Sequence, residues 1–356
     1  MTAKRRMLDT LNRLLAPTGF SLQRWKNPRT VVDAGHRMTR ALCGSGCFLG
    51  QPVSVVDAGC SGGLDERWRE LGSQLRAWGV DAMTEECERL RAAERNPVVK
   101  YIDARLEMLR DRPAPPHRGL WPWARLSTAA ALAARSSRAG GGSEAIRSNQ
   151  WQEQTLSQQT LSVDQLIDLH GIDELDFLKI DLDGPDYDVL TGFAPHMDRL
   201  QTLGVKVEVN FFGSEQEGVH TFHNTDRLLR AHGFELFDLT GYNYSNAALP
   251  AAFATRVLGP TAFGRMLQGD ALYFRDPAGD AAPGKLPPVK LLKLACMFEL
   301  FDLPDCAAEL LLRFGNDIGR SDTSRLLDLL VPRLDGEKLG YDEYMARFKA
   351  DPRSFL

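Results

Sequence analysis

The stretch Val53-Ser54-Val55-Val56-Asp57-Ala58-Gly59-Cys60-Ser61-Gly62-Gly63 constrains this chain more than any other. An apolar, β-branched run leads into an acidic residue and then a turn with three glycines in five positions. Glycine lets the backbone turn sharply and approach a bound molecule with no Cβ in the way. A helix expected directly after it, over residues 64–68, would aim its N-terminal N–H groups at that molecule. The combination predicts an α/β sheet with a ligand beyond the carboxyl end of a strand. Glycine spacing then sorts the ligands. A dinucleotide pyrophosphate is held by G-x-G-x-x-G, and Ser61 stands where the second glycine of that pattern belongs. The spacing favours a nucleotide-like cofactor without a pyrophosphate, of which S-adenosylmethionine is the commonest.

Strand and helix signals alternate from here on. Strands are expected at residues 53–56, 75–83, 98–102, 177–181, 205–211, 234–239 and 271–274, with helices at 85–94, 163–169 and 222–231. Ser162 and Gln165 form a capping-box signal, and Gly184-Pro185 opens a helix with proline at a favoured first position. This alternation predicts a Rossmann-like α/β fold: a seven-stranded, mostly parallel sheet with helices on both faces. The loop-rich stretch 240–270 separates the last two strands, which fits a seventh strand inserted antiparallel beside the fifth.

The chain divides into an N-terminal helical segment (1–49), a central domain (50–277) and a C-terminal helical extension (278–356). In the first, Leu8, Leu11, Leu14 and Leu15 make a helical stripe ended by Pro17 and Gly19, and 28–43 reads as a second helix. The central domain carries an irregular insertion over 107–150, where Trp121 and Trp123 either cover a substrate or anchor the loop. A proline- and glycine-rich linker then leads to helices over 290–314 and 321–334. Their apolar faces, at Leu291, Leu292, Leu294, Phe298 and Phe301, suit packing on the domain or on a second copy of the chain.

Composition narrows the partners. A net charge of −4 over 356 residues speaks against a general affinity for nucleic acid. Lys4-Arg5-Arg6 precedes an apolar run broken by Asp9, Asn12 and Arg13, which reads as an amphipathic helix and not a signal peptide. No segment approaches the length of a membrane span. The six cysteines, at 43, 47, 60, 87, 296 and 306, lack paired metal-type spacing and read as reduced thiols of a cytoplasmic protein.

Five acidic residues stand at or near strand ends: Asp57, Asp81, Asp103, Asp181 and Glu208. Asp81 suits the two hydroxyls of a ribose, and Asp103 an adenine amino group. Singly, such aspartates are ordinary turn caps. Together with Gly59, Cys60, Ser61 and Gly63 they outline an adenosine site. In Asp176-Phe177-Leu178-Lys179-Ile180-Asp181-Leu182-Asp183-Gly184, alternation puts Lys179 and Asp181 on one face of the strand. A lysine in a central strand is costly unless paired.

This block, followed by Val189-Leu190-Thr191-Gly192, resembles the FkbM family of S-adenosylmethionine-dependent methyltransferases. The family's glycine loop is matched by Asp57, Gly59 and Gly63. Its next acidic strand is matched by Glu208, and its Gly-Phe helix end by Gly233-Phe234. The resemblance spans about residues 50–277. The family often has asparagine at the position of Ser61 and glutamate at that of Asp183. The resemblance implies methylation of an oxygen on a sugar, glycan or natural product. An alcohol needs help to become a nucleophile near neutral pH. Asp181 and Glu208 are the carboxylates expected beside the acceptor, with His220 and His223 as candidate bases or, alternatively, structural histidines. Asp181, Asp183, Glu208 and Asn210 offer oxygens that magnesium accepts, so a divalent ion is a secondary option. Two rival readings remain: an oxidoreductase that binds a nicotinamide cofactor or a nucleotide sugar, and a non-catalytic binding module on the same fold.

Overall fold

The computed structural model describes residues 35–107, 157–182, 184–213, 216–244, 260–261, 264–279, 286–334 and 337–352. The leucine stripe at 8–15, nearly all of the 107–150 insertion with its two tryptophans, and Asp183 lie outside them.

Val53–Ala58 forms β1, buried along its whole length. It pairs in parallel with β2 (Leu75–Asp81), which pairs in parallel with β3 (Val99–Asp103). Arg105–Leu106 and Thr160–Leu161 are β4 and β5, a separate two-stranded parallel patch. On the other side of β1 come β6 (Phe177–Ile180) and β7 (Gly204–Asn210), both parallel. The last strands are β8 (Glu235–Tyr244), β9 (Pro260–Thr261) and β10 (Arg265–Phe274). The order is 3-2-1-6-7-10-8-9, with β10 antiparallel to both β7 and β8. This is the expected seven-stranded, mostly parallel Rossmann-like sheet. The antiparallel strand is inserted beside the fifth major strand as the sequence suggested, and a two-residue strand is added at the edge.

A strand buried on both faces needs apolar side chains on both. In β1, Val53 and Val55 enter one core while Val56 and Ala58 enter the other. The second core is closed by α3 (Val163–His170), α4 (Asp186–Phe193) and α5 (Phe222–Ala231). The Ser162–Gln165 capping box is present in full. The first core takes Leu90 of α2 (Thr84–Ala93) and is covered by α1 (Arg37–Gly44) and the C-terminal helices.

Those helices differ from the sequence reading. A single helix over 290–314 was expected, but α6 (Pro288–Leu300) ends and α7 (Pro304–Ile318) begins anew. Asp302 adopts a left-handed φ of 61° and Pro304 starts the next helix, so the break is local chemistry. Gly319 separates α7 from α8 (Arg320–Leu330), and α9 (Tyr341–Ala350) follows. Leu291, Leu294 and Phe298 are fully buried against the sheet face. Lys290 and Lys293 are buried too. They meet Asp176 at 2.6 and 2.8 Å and Glu174 at 2.6 and 2.9 Å, beneath the start of β6. Lys293 also donates to the Pro52 carbonyl, and Asp176 accepts from the Ser54 N–H.

The helix expected at 64–68 is instead a 3-10 helix over Glu66–Gln74, started by Asp65. Gly72, at φ 54° and ψ −126°, kinks it, and its buried residues are Trp68, Leu71 and Gln74. Among the described residues, no helix is long and apolar enough to cross a membrane.

Candidate functional site

Side chains of laterally paired residues share a sheet face. On the face of the first core, the lower row holds Val55, Phe177 and Phe274, packed beneath Trp68 and Phe301. The Phe177 ring centroid lies 5.0 Å from each of those two rings. One pleat higher, the row reads Asp57, Lys179, Lys206, Leu272 and Asp238. The next row holds Glu208, Asp270 and Thr240. Asp181 directly follows Ile180, whose partner is Val207, so it stands beside Glu208. One face of the sheet thus turns from aromatic to charged as it approaches the carboxyl ends of the parallel strands. Ligands of open α/β sheets bind at that end.

The glycine turn leans over this region. Gly59 has φ of 85°, and a Cβ built there would stand 1.7 Å from the Asp181 carbonyl oxygen. No other residue fits, so the turn and the end of β6 are in backbone contact. Gly59 donates to the Val80 carbonyl at 2.8 Å. Asp81, at the end of β2, accepts from the main chain of Ser61 and, at 2.8 Å, from Met83. Burial, the largest influence, leaves its carboxyl above the usual range. Glu86 accepts from the Gly62 N–H at 2.9 Å. Asp103 ends β3 and accepts from the Thr84 hydroxyl at 3.2 Å. Cys60 differs from expectation: its side chain is fully buried, filling the space left by Gly79. Burial pushes its thiol up. Only the Cys60 main chain is left to face a ligand.

Lys179 sits at the centre. Its ammonium meets Asp57 Oδ1 at 2.9 Å, the Gly59 carbonyl at 3.0 Å and Asp181 Oδ2 at 3.5 Å. Burial pushes the Asp57 carboxyl up to about 6, against the pull of Lys179. The Lys179 ammonium is itself held above its ordinary range, because Asp57 and Asp181 outweigh the effect of burial. Asp181 is the accessible member, 46% exposed against 4% for Asp57.

The two histidines part company. His220 is largely buried, and its Nε2 donates to the Glu208 carbonyl at 2.9 Å. Nδ1 is then the acceptor for Asn210 Nδ2 at 3.2 Å. Asp186, 3.9 Å from His220 Nδ1, accepts from the Leu182 and Gly184 N–H groups at 2.7 and 2.9 Å. His220 therefore braces the loop that follows Asp181. His223 is exposed in the first turn of α5, which packs on the second core. Asn210 gives its amide nitrogen to His220. Among the described residues, no three His, Cys, Asp or Glu side chains are grouped to hold a metal ion.

Sequence reasoning missed Lys206, Asp270 and Tyr242. Asp270 accepts from the Tyr242 hydroxyl at 2.7 Å and meets Lys206 at 3.5 Å. Alternation alone reveals them: Asp270, Leu272 and Phe274 share a face, as do Asp238, Thr240 and Tyr242.

No curated protein matches the chain in sequence. Solved structures similar to it include an S-adenosylmethionine-dependent methyltransferase from Aquifex aeolicus, with 7% identity, 62% of this chain and 81% of that one covered, and a TM-score of 0.26. A second is magnesium protoporphyrin IX methyltransferase from Synechocystis, with 10% identity, coverage of 77% and 98%, and a TM-score of 0.27. A third is 1,6-didemethyltoxoflavin-N1-methyltransferase from Burkholderia thailandensis, with 15% identity, coverage of 77% and 92%, and a TM-score of 0.23. At these scores the fold rests on strand order and not on superposition. The family model "Methyltransferase FkbM domain" matches residues 106–236. That segment contains β6 with Lys179 and Asp181, and β7 with Glu208. The glycine turn precedes it.

Proposed function

We propose that this methyltransferase uses S-adenosylmethionine and methylates a hydroxyl of a small-molecule or glycan acceptor, such as a sugar or a natural product. One observation carries the reading. The glycine turn is bordered by Asp57, Asp81 and Asp181 with one lysine among them, and it leads into a 3-10 helix that starts with Asp65 and Glu66. That is a poor setting for a pyrophosphate, which wants a helix N-terminus and no carboxylates. A cofactor with a positive sulfonium suits it. The residues present also fit the rest of the cofactor: Asp81 for the ribose hydroxyls, Asp103 for the adenine amino group, and the turn's main chain for the amino-acid end. When bound, S-adenosylmethionine supplies a methyl group activated by positively charged sulfur. Asp181 is the accessible carboxylate next to Gly59 and accepts the proton of the acceptor hydroxyl, with Glu208 beside it to orient that hydroxyl. His220 holds the loop in place, and the exposed His223 contributes least.

The test is calorimetric titration of the whole protein with S-adenosylhomocysteine and, separately, with NAD. Heat with the first and none with the second is expected. Asp81→Ala should weaken S-adenosylhomocysteine by about 1–3 kcal/mol, the scale of hydrogen bonds lost at a charged group. Binding of NAD alone would overturn the reading in favour of the oxidoreductase. Methyl transfer to hydroxylated sugars, followed by mass spectrometry, then tests the acceptor class.

A further inference from the structure

We propose that Lys179 is a positioning residue that ties the cofactor turn to the carboxylate at the end of β6. The inference rests on the methyltransferase reading of that turn and goes beyond it by giving the lysine a task of its own.

A lysine in the middle of a sheet loses hydration that an apolar residue would not need, so its acceptors explain its presence. An ammonium has three N–H groups and no acceptor capacity. Lys179 has three acceptors around it, and each belongs to a different part of the site. Asp57 is on β1, the Gly59 carbonyl is in the turn, and Asp181 follows β6. The bond to Gly59 fixes the orientation of the very peptide that lies against the Asp181 main chain. The contact with Asp181 sets the side chain of the accessible carboxylate. One cation thereby holds the turn and the proton acceptor in a single arrangement. The neighbouring cation in the same row, Lys206, pairs instead with Asp270.

A merely structural lysine would support the sheet whatever stands at position 181. A positioning lysine acts through Asp181, and its effect depends on that carboxylate. The experiment is a double-mutant cycle on Lys179→Met and Asp181→Asn in the full chain, with S-adenosylhomocysteine as the probe. Affinity is read by calorimetry, and the unfolding midpoint of each variant without ligand shows that it is folded at the titration temperature. The parent must bind first, and failure there counts against the cofactor reading and not against Lys179. Lys179→Met is expected to weaken binding about tenfold, the scale of a lost charge-assisted bond. In the Asp181→Asn background the same substitution is expected to cost about threefold, because coupled neighbours are not additive. If Lys179→Met does not fold, Lys179→Gln, which keeps N–H donors without the charge, is read in the same cycle. Equal losses in both backgrounds, or a loss under about twofold in the parent, would overturn the proposal.

Discussion

The two ends of the β1–β6 pair carry similar chemistry for different ends. At the amino end, Lys290 and Lys293 meet Glu174 and Asp176, with Asp176 and Lys293 wholly closed to solvent. At the carboxyl end, Lys179 meets Asp57 and Asp181. The lower cluster joins the C-terminal helix α6 to the sheet, its hydrogen bonds going to Pro52, Ser54 and Gln201 of the same scaffold. The upper cluster ends in a carboxylate left accessible beside a glycine turn of positive φ. Closed on all sides, a lysine–carboxylate cluster can only fix a structure. Open on one side, it can also present a charge to a ligand.

The comparison breaks most clearly through Asp181. Asp181→Asn keeps shape and removes charge, and the side chain is exposed enough that stability should change by less than about 0.5 kcal/mol. Methyl transfer should fall by about 10²–10⁴, the usual span for a positioned base. A full-rate variant would return the upper cluster to the same class as the lower one. Lys293→Met is the opposite case. It leaves Asp176 buried with one partner fewer, and urea unfolding should show a loss of about 3–5 kcal/mol. The fraction that remains folded should bind S-adenosylhomocysteine as tightly as the parent. Weakened binding in that fraction would mean that the lower cluster reaches the site.

A third test uses pH. The folded-state pKa of Asp57 is raised from 3.8 to about 6 by burial, with Lys179 opposing and Asp181 and Asp65 adding to the rise. A raised carboxyl pKa means that the native state holds its proton more tightly than the unfolded chain does. The contribution of Asp57 to stability therefore falls as pH rises from about 4 to about 6, and is level outside that window. Relative to Asp57→Asn, the parent should lose roughly 3 kcal/mol across it. A flat difference would mean that Lys179 compensates the carboxylate fully.

Much of this was legible in the sequence, and the legible parts share a cause. The β1 run, the glycine turn, the capping box and the 177–186 block are local patterns, and local patterns fix strands, caps and shared faces. Lys179 and Asp181 fall on one face by alternation alone. What was missed depended on partners distant in sequence. The upper halves of β8 and β10 carry Thr240, Tyr242, Gln268 and Asp270, so their polarity read as loop. They are strands because that polar face borders the site and is not packed in the core. Cys60 looked like a ligand-facing small residue, and it turns inward because Gly79, nineteen positions away, leaves room. The helix after the turn failed for a different reason: it is 3-10 and kinked at Gly72, a geometry that the apolar pattern of 64–68 does not distinguish from an α-helix.

The smallest expected effect concerns the histidines, and it sharpens the line between bracing and exposure. His220 and His223 lie three residues apart and were equal candidates. His220 has both ring nitrogens engaged, one by the Glu208 carbonyl and one by Asn210, and it stands next to Asp186, whose bonds hold the loop after Asp181. His223 is exposed on α5, which packs on the other core. His220→Gln should lower both stability and methyl transfer, by about 1–2 kcal/mol in stability, since it leaves buried partners short of a bond. His223→Gln should change stability by less than about 0.5 kcal/mol, as surface substitutions usually do. It should also leave the rate and its pH profile unchanged. A histidine base would give the parent an acid limb near its reference pKa of about 6.5. If His223→Gln erases such a limb, the proton goes to α5, and the division between an open cluster that works and a braced loop that supports it has to be redrawn.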